Sequence, residues 1–127
     1  MKKRIVFTPN APRPLGPYSQ GVIAGGFLYV AGQVPYDPAS GTLVEGTITE
    51  QTTRVLDNVT AILGAAGVTR ADVVQARVYL RLIADFAEMN AVYATYFTDD
   101  QPARTTVEAA LRVGVNVEID VVAYVGG

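Results

Sequence analysis

The spacing of hydrophobic and polar residues changes along the chain, and each spacing predicts a different element. Between residues 47 and 67, apolar residues recur at helical spacing, which predicts an amphipathic helix with one buried face. Thr47 and Glu50 stand where a capping box would begin this helix. Between residues 73 and 83, polar and apolar residues alternate, which predicts a strand whose apolar face carries Val74, Ala76, Val78, Leu80 and Leu82.

Similar patterns predict the remaining elements. We expect a hairpin over residues 22–34, split by a Gly-Gly pair, and a second helix over residues 84–97. Residues 104–113 and 117–125 are rich in Val, Thr and Ile, which predicts two closing strands. The order β-β-α-β-α-β-β makes both helices crossover connections. We therefore expect an α+β fold in which two helices cover one face of a mixed, partly parallel sheet.

The opposite face of the predicted sheet combines aromatic and charged side chains. It is too apolar to face water alone and too charged for an internal core, since it carries Arg77, Tyr79, Arg81, Glu118, Val122 and Tyr124. We expect a second copy of the chain to cover it, because closed homo-oligomers commonly bury such surfaces. The proline-rich segment 7–21 and the turn-rich segment 35–46 are expected to be irregular.

Composition narrows the chemistry that this fold can carry. The 127 residues predict a single domain spanning residues 1–127, and 50% hydrophobic with 17% charged residues indicates a folded globular chain. Cys and His are absent, which excludes thiolate nucleophiles, Ser-His-Asp triads and thiolate or imidazole metal sites, so no metal is expected. Acid-base chemistry must then rest on Asp, Glu, Tyr or bound water.

Charge and hydropathy bear on partners and location. The formal net charge of −2 disfavours nucleic acid as a partner, since proteins that neutralise phosphates are usually basic. The basic and then apolar start of the chain is interrupted at Thr8 and Pro9, too early for a signal peptide. No apolar stretch is long enough to span a membrane. We therefore expect a cytoplasmic protein without a membrane partner.

Arg104 is the sharpest candidate for a functional residue. It follows Pro102 and opens a predicted strand, so its planar guanidinium is firmly held and suits a carboxylate in two parallel hydrogen bonds. The alternative is an ordinary surface arginine or an internal ion pair with Glu108 or Glu118.

Three further residues are candidates on weaker grounds. Glu118 shares a strand face with Asp120 and, if partly buried, could move a proton through a water; a solvated sheet face is the alternative. Tyr18 follows a rigid Gly-Pro turn that either aims its phenol into a pocket or packs it over a sheet edge. Asn90 interrupts a predicted helix, where a local hydrogen bond is its ordinary role.

Together, several short motifs resemble those of the Rid family, also called the YjgF-like or reactive intermediate deaminase family. The resemblance runs nearly end to end, and its strength lies in the order and spacing of the motifs. The motifs are Gly16-Pro17-Tyr18-Ser19-Gln20, Ala31-Gly32-Gln33-Val34-Pro35, Gln51, Leu56-Asp57-Asn58-Val59, residues 85–93, Pro102-Ala103-Arg104-Thr105-Thr106-Val107-Glu108 and Val117-Glu118-Ile119-Asp120.

The resemblance implies a chorismate-mutase-like α+β fold assembled as a homotrimer, with active sites in the clefts between subunits. It implies an enzyme that needs no cofactor or metal and that hydrolyses 2-imino and 2-enamino acids to 2-oxo acids and ammonia. Such small substrates are released by pyridoxal-phosphate enzymes, for example dehydratases acting on serine or threonine, so the implied functional link is to that class of enzyme.

The resemblance also assigns roles to five residues. Arg104 matches the arginine that grips the substrate carboxylate, and Glu118 matches the carboxylate that holds the attacking water or shuttles a proton. Tyr18 and Asn90 match residues that line or order the pocket, and Gly32 matches a glycine whose backbone approaches the ligand.

Two residues of the expected substrate-binding set depart from the family pattern. Many members have Ser where this chain has Ala31, and many have Cys where this chain has Thr106. The segment 110–114 also lacks the usual Leu-Pro turn and is shorter than usual.

The expected function is therefore deamination of substrates of the 2-iminobutanoate or 2-iminopropanoate type, with Arg104 as the carboxylate clamp and Glu118 as the water-holding group. The alternative is a non-catalytic sensor or regulatory protein that binds 2-oxo acids in the same cleft. RNA cleavage, which is attached to some relatives, is disfavoured by the acidic charge balance and the absence of His.

Overall fold

Six strands form one mixed sheet within residues 2–126, the part of the chain that the computed structural model describes. The strands are β1 (Arg4–Val6), β2 (Gly21–Ala24), β3 (Phe27–Gln33), β4 (Val73–Leu80), β5 (Ala103–Glu108) and β6 (Val117–Tyr124), and the helices are α1 (Ile48–Ala65) and α2 (Phe86–Tyr96). Across the sheet the order is β1-β2-β3-β6-β4-β5. β4 and β5 are parallel, and the other neighbouring pairs are antiparallel.

This architecture confirms the expected α+β fold with a partly parallel sheet. The hairpin, both helices and the strands that begin at Val73 and Val117 form where the pattern predicts them. β5 is shorter than expected and ends at Glu108, because its partner strand β4 ends at Leu80, which pairs with Glu108 and accepts the last hydrogen bond from the Ala109 N–H. β1 was not predicted, since three residues are too few to show an alternation, and it forms by pairing with β2.

Apart from Val115, the buried apolar side chains of residues 2–126 form one cluster between the sheet and the helices. The prediction of a single domain over residues 1–127 includes Met1 and Gly127, which lie outside the described residues, and it stays a prediction. Among the described helices, none combines the length and the apolar character that a bilayer crossing requires.

Helix α1 begins at a capping box, as predicted. The Thr47 side chain accepts a hydrogen bond from the Glu50 backbone N–H, and the Glu50 carboxylate accepts one from the Thr47 N–H. The predicted apolar face is buried against the sheet and carries Val55, Leu56, Val59, Ile62 and Leu63. Helix α1 thereby covers β3 and β6, the two strands that hold Gly32 and Glu118.

Strand β4 places a different set of residues in the core from the one predicted. A bulge between Val73 and Gln75 shifts the alternation, so Val73 is buried and Val74 is 45% exposed. The strand ends at Leu80, which leaves Leu82 48% exposed beyond it. Between the bulge and the end of the strand the predicted alternation holds, because both neighbouring strands pair there in regular register.

The face of the sheet opposite the helices is polar and aromatic, as predicted. Asp120 accepts hydrogen bonds from Arg77 Nε and from the Tyr79 hydroxyl, both at 2.8 Å. Tyr29 and Tyr124 are about half exposed on the same sheet. That a second copy covers this face, and that the assembly is a homotrimer, stay predictions.

Candidate functional site

The sequence-predicted site residues divide between two pockets. One pocket, called the Glu118 pocket here, has a volume of about 360 Å³ and is lined by Leu15, Tyr18, Ala31, Gly32, Val34, Arg112 and Glu118. The other, called the Arg104 pocket, has a volume of about 280 Å³ and is lined by Asn90, Tyr93, Ala94, Gln101, Pro102 and Arg104. Thr106 shares a face of β5 with Arg104 and lines neither of these two pockets. Within residues 2–126 there is no group of three or more metal-ligating side chains.

The two pockets lie on opposite faces of the sheet. Arg104 pairs in register with Ala76, which is buried beneath the helices, so Arg104 faces the helix layer. Glu118 pairs with Tyr79, which lies on the face away from the helices. Paired residues on neighbouring strands point to the same side of a sheet. One copy of the chain therefore does not bring the Arg104 guanidinium and the Glu118 carboxylate to the same small molecule.

Glu118 packs against the backbone of β3 at the point where that strand bulges. The pairing of β3 with β6 shifts register between Val30 and Gln33, and Gly32 lies within this bulge. A Cβ atom at Gly32 would overlap the Glu118 carboxylate and would lie 3.0 Å from its Cδ atom. Glycine at this position therefore leaves the room in which the Glu118 side chain lies.

The surroundings of Glu118 favour its protonated form. Burial raises the pKa of the Glu118 carboxyl above its ordinary value of 4.5, and the charge of the neighbouring Asp120 raises this pKa further. Asp120 itself forms a salt bridge with Arg77, and it is the one salt bridge found within residues 2–126. A half-buried carboxyl with a raised pKa, set in a pocket wall, keeps its proton to a higher pH than an ordinary glutamate and is suited to proton transfer.

The Tyr18 side of the Glu118 pocket is held by a buried amide. Gln20 accepts a hydrogen bond from the Thr8 N–H at 2.7 Å and donates to the carbonyls of Thr8 and Pro12 at 3.0 and 2.9 Å. These bonds fix the proline-rich segment that carries Tyr18. The Tyr18 hydroxyl accepts a hydrogen bond from the Leu15 N–H at 3.0 Å, so its ring forms a wall of the pocket.

The Arg104 guanidinium stacks on two aromatic rings of α2. Its Cζ atom lies 4.6 Å from the ring centroid of Tyr93 and 5.5 Å from that of Phe86. The alternative of an ion pair with Glu108 is wrong, because Glu108 accepts a hydrogen bond from the Ile83 N–H and no salt bridge of Arg104 is found within residues 2–126. The two rings hold the guanidinium in place, and no carboxylate of residues 2–126 pairs with it, so it is available to bind the carboxylate of a ligand.

Two buried polar atoms beside Arg104 lack a hydrogen-bond partner in the described part of the chain. They are Asn90 Oδ1 and the Tyr93 hydroxyl, and both residues line the Arg104 pocket. Burial raises the pKa of Tyr93, although the positive charge of Arg104 opposes the rise, so the phenol remains a donor at neutral pH. An unsatisfied buried polar group costs about 1–3 kcal/mol. Two such groups in one pocket indicate that a ligand or a partner satisfies them.

Sequence reasoning missed three residues at the two pockets: Tyr93 and Arg112, which line them, and Phe86, which contacts Arg104. Tyr93 was assigned only to the apolar stripe of the second helix, although it follows Asn90 by three positions and therefore shares its side of the helix. Phe86, from the same stripe, is 41% exposed and contacts Arg104 instead of the core. Arg112 lies in a short irregular segment, where its charge was the one signal that the sequence offered.

Comparison with known proteins identifies the family. The family described as Endoribonuclease L-PSP matches residues 8–125. A RutC family protein of Pyrococcus horikoshii is 51% identical over 96% of this chain and 98% of its own length. A protein of Capra hircus named 2-iminobutanoate/2-iminopropanoate deaminase is 44% identical over 98% of this chain and 91% of its own length.

The chain belongs to the Rid family. A Rid family protein of Yersinia pestis has the same fold, with a TM-score of 0.95 at 43% identity over 98% of this chain and 100% of that one. The structure of TdcF of E. coli with bound serine matches with a TM-score of 0.89 at 35% identity, over 95% of this chain and 98% of that one. The sequence resemblance is confirmed, and with it the fold class that the resemblance implied.

We expect Glu118→Gln to stabilise this Rid protein near neutral pH. A carboxyl whose pKa is raised on folding is ionised at a cost to the folded state. The cost is absent below the ordinary pKa of 4.5 and grows as the pH rises through the raised pKa of the folded state. Urea denaturation should therefore give a larger free energy of unfolding for the variant near pH 7 and a similar one near pH 4.

Glu45→Gln is the matched control, because Glu45 is exposed in the loop before α1. It should leave the free energy of unfolding nearly unchanged at both pH values. A Glu118→Gln variant that is less stable than the parent near pH 7 would contradict the cost assigned to burial.

Proposed function

We propose that this Rid protein hydrolyses short 2-imino and 2-enamino acids, and that each active site joins the Arg104 pocket of one copy to the Glu118 pocket of another. The observation that carries the proposal is the division of two complementary half-sites between opposite faces of one sheet. In a closed cyclic oligomer, such as the predicted homotrimer, each copy gives one half-site to each of two neighbours. Relatives named 2-iminobutanoate/2-iminopropanoate deaminase support the choice of reaction.

The Arg104 pocket binds and orients the substrate. The guanidinium takes the substrate carboxylate in two parallel, charge-assisted hydrogen bonds while Tyr93 and Phe86 hold its plane. The Tyr93 hydroxyl donates to the same carboxylate, and Asn90 Oδ1 accepts from the imine N–H, so both unsatisfied atoms gain partners. The serine bound to the relative TdcF carries the same carboxylate beside a nitrogen-bearing carbon.

The Glu118 pocket supplies the water and moves the protons. Glu118 protonates the imine nitrogen, and a water held by the resulting carboxylate adds to the carbon. As the water adds, Glu118 takes one of its protons and returns it to the nitrogen; the carbon–nitrogen bond then breaks and nitrogen leaves as ammonia. The hydroxyl left on the carbon gives its proton back to Glu118 and becomes the carbonyl of a 2-oxo acid. The raised pKa keeps more of this carboxyl protonated than an ordinary glutamate, so it can act as the acid and, once ionised, as the base. Because imines hydrolyse readily in water, positioning and acid-base help of roughly 100- to 10,000-fold suffice.

The remaining predicted residues have lesser roles. Tyr18 and Ala31 are walls of the Glu118 pocket, and Gly32 makes room for the carboxylate. Thr106 lines neither pocket within one copy, so a role for its hydroxyl depends on the neighbouring copy. The reaction consumes one water and no cofactor, and a pyridoxal-phosphate dehydratase is the class of enzyme that supplies such imines.

We expect Arg104→Ala to lower imine hydrolysis at least about 100-fold without unfolding the protein, since the clamp both binds and orients the substrate. A threonine dehydratase generates 2-iminobutanoate, and the rate of imine loss is measured by competition with semicarbazide. Arg104→Lys keeps the charge without the planar fork and should be intermediate. Arg4→Ala, at an exposed position of β1, is the control and should keep full activity.

Full activity of Arg104→Ala would refute the clamp. The alternative function, a non-catalytic sensor, predicts a different result for the parent protein: saturable binding of 2-oxobutanoate without any faster loss of imine. An RNA degradation assay with chelator present tests for the ribonuclease activity that the family description Endoribonuclease L-PSP suggests.

We expect Gly32→Ala to reduce hydrolysis at least about 10-fold while the fold survives. The added methyl group would occupy the place of the Glu118 carboxylate, and that flexible side chain must rotate away from the pocket. Gly64→Ala is the matched control, because a Cβ at Gly64 in α1 meets nothing within 4 Å. It should keep full activity and should not lower the melting temperature. Undiminished hydrolysis by Gly32→Ala would contradict the role given to Glu118.

A further inference from the structure

We propose that Arg112 selects substrates whose side chain ends in a second carboxylate, so that 2-imino dicarboxylic acids are the preferred substrates of this Rid protein. The inference rests on the proposed function and adds to it the class of substrate. In this arrangement Arg104 of one copy binds the carboxylate next to the reacting carbon. Arg112 of the other copy binds the distal carboxylate.

Arg112 belongs to the same pocket as Glu118. It lines the Glu118 pocket from the loop between β5 and β6, together with Tyr18 and Gly32. Arg112 and Glu118 are the charged residues among the lining set. The pocket therefore offers one cation and one acid to a molecule that enters it, and the cation is not used by the proposed hydrolysis of a monocarboxylic imine.

The loop that carries Arg112 is anchored to the core. The buried Gln51 side chain donates a hydrogen bond to the Gly114 carbonyl at 2.8 Å and accepts one from the Asn116 N–H at 2.8 Å. Val115, between these two anchors, is fully buried. The Arg112 carbonyl accepts a hydrogen bond from the Val115 N–H at 3.0 Å, which closes a turn. The guanidinium is thus carried by a backbone of fixed position.

The two charges of the pocket stay apart. Within residues 2–126 no salt bridge of Arg112 is found. The pKa of Glu118 is raised by burial and by Asp120, and Arg112 does not offset that rise, as a cation in contact would. Opposite charges in one pocket that do not meet leave a gap between them, and an anionic group of a ligand can fill it beside Arg112.

The space between the charges suits a short diacid. Leu15 and Val34 supply apolar walls, against which one or two methylene groups can pack. The planar fork of an arginine matches a carboxylate in two hydrogen bonds better than it matches a neutral polar group. The covalent change is that of the proposed function: water adds to the imine carbon and ammonia leaves, with no change at the distal carboxylate.

The first experiment compares two imines. An amino-acid oxidase generates 2-iminoglutarate from glutamate or 2-iminobutanoate from 2-aminobutyrate, and kcat/KM is measured for each with the parent, Arg112→Gln and Arg112→Lys. The ratio of kcat/KM for the diacid to that for the monoacid should fall about 10- to 100-fold in Arg112→Gln, mainly through a higher KM for the diacid. Arg112→Lys should recover part of the ratio. The control Arg4→Gln, at an exposed position of β1, should keep the parent ratio.

An unchanged ratio overturns the inference, whether Arg112→Gln is fully active or equally impaired on both substrates. The second experiment separates this failure from that of the proposed function. It titrates the parent and Arg112→Gln with the products 2-oxoglutarate and 2-oxobutanoate by calorimetry. A preference for 2-oxoglutarate that depends on Arg112, without turnover of either imine, supports the selectivity and refutes the enzyme. Turnover of both imines without such a preference supports the enzyme and refutes the selectivity.

Discussion

The register of β4 with its two neighbours is the constraint on which the rest of the molecule depends. Ala76 of β4 pairs with Arg104, and Tyr79 of β4 pairs with Glu118, and these two β4 residues point to opposite faces. A slip of one residue in the β4–β6 pairing would bring both charges to one face, but it would also turn the buried apolar residues of β6 to the outside. Core packing therefore fixes the separation of the charges. A complete site of the proposed kind then requires two copies of the chain.

Each half-site carries polar groups whose state in a single copy of the chain lowers the stability of the fold. Burial and the charge of Asp120 raise the pKa of Glu118, so its ionised form is costly, and Asn90 Oδ1 and the Tyr93 hydroxyl are buried without partners in the described residues. Natural proteins tolerate such features mainly at functional sites, where the stability lost is regained on binding. In this protein the proposed association of copies and the bound substrate would satisfy both pockets together, because each pocket faces away from the other within one chain.

Local patterns in the sequence predicted the elements, and the family motifs predicted the site residues, but neither predicted how the residues are grouped. The capping box at Thr47 and the helical face behind it are local features, so they were predicted correctly. The insertion of β6 between β3 and β4 is a long-range pairing that no local pattern contains, and it decides which face Glu118 occupies. The bulges at Val74 and Gly32 insert a residue without changing the composition, so they were not predicted. Gln51, one of the family motif residues, proves to anchor loops through its buried amide.

Hybrid oligomers formed from two inactive variants test the shared site most directly. Arg104→Ala removes one half of every site and Glu118→Gln removes the other, yet a hybrid brings an intact Arg104 of one copy to an intact Glu118 of the next. Equal amounts assembled together should recover about a quarter of the parent's imine hydrolysis, since random mixing leaves about one junction in four intact. Verified hybrids with no more activity than either variant alone would contradict the account.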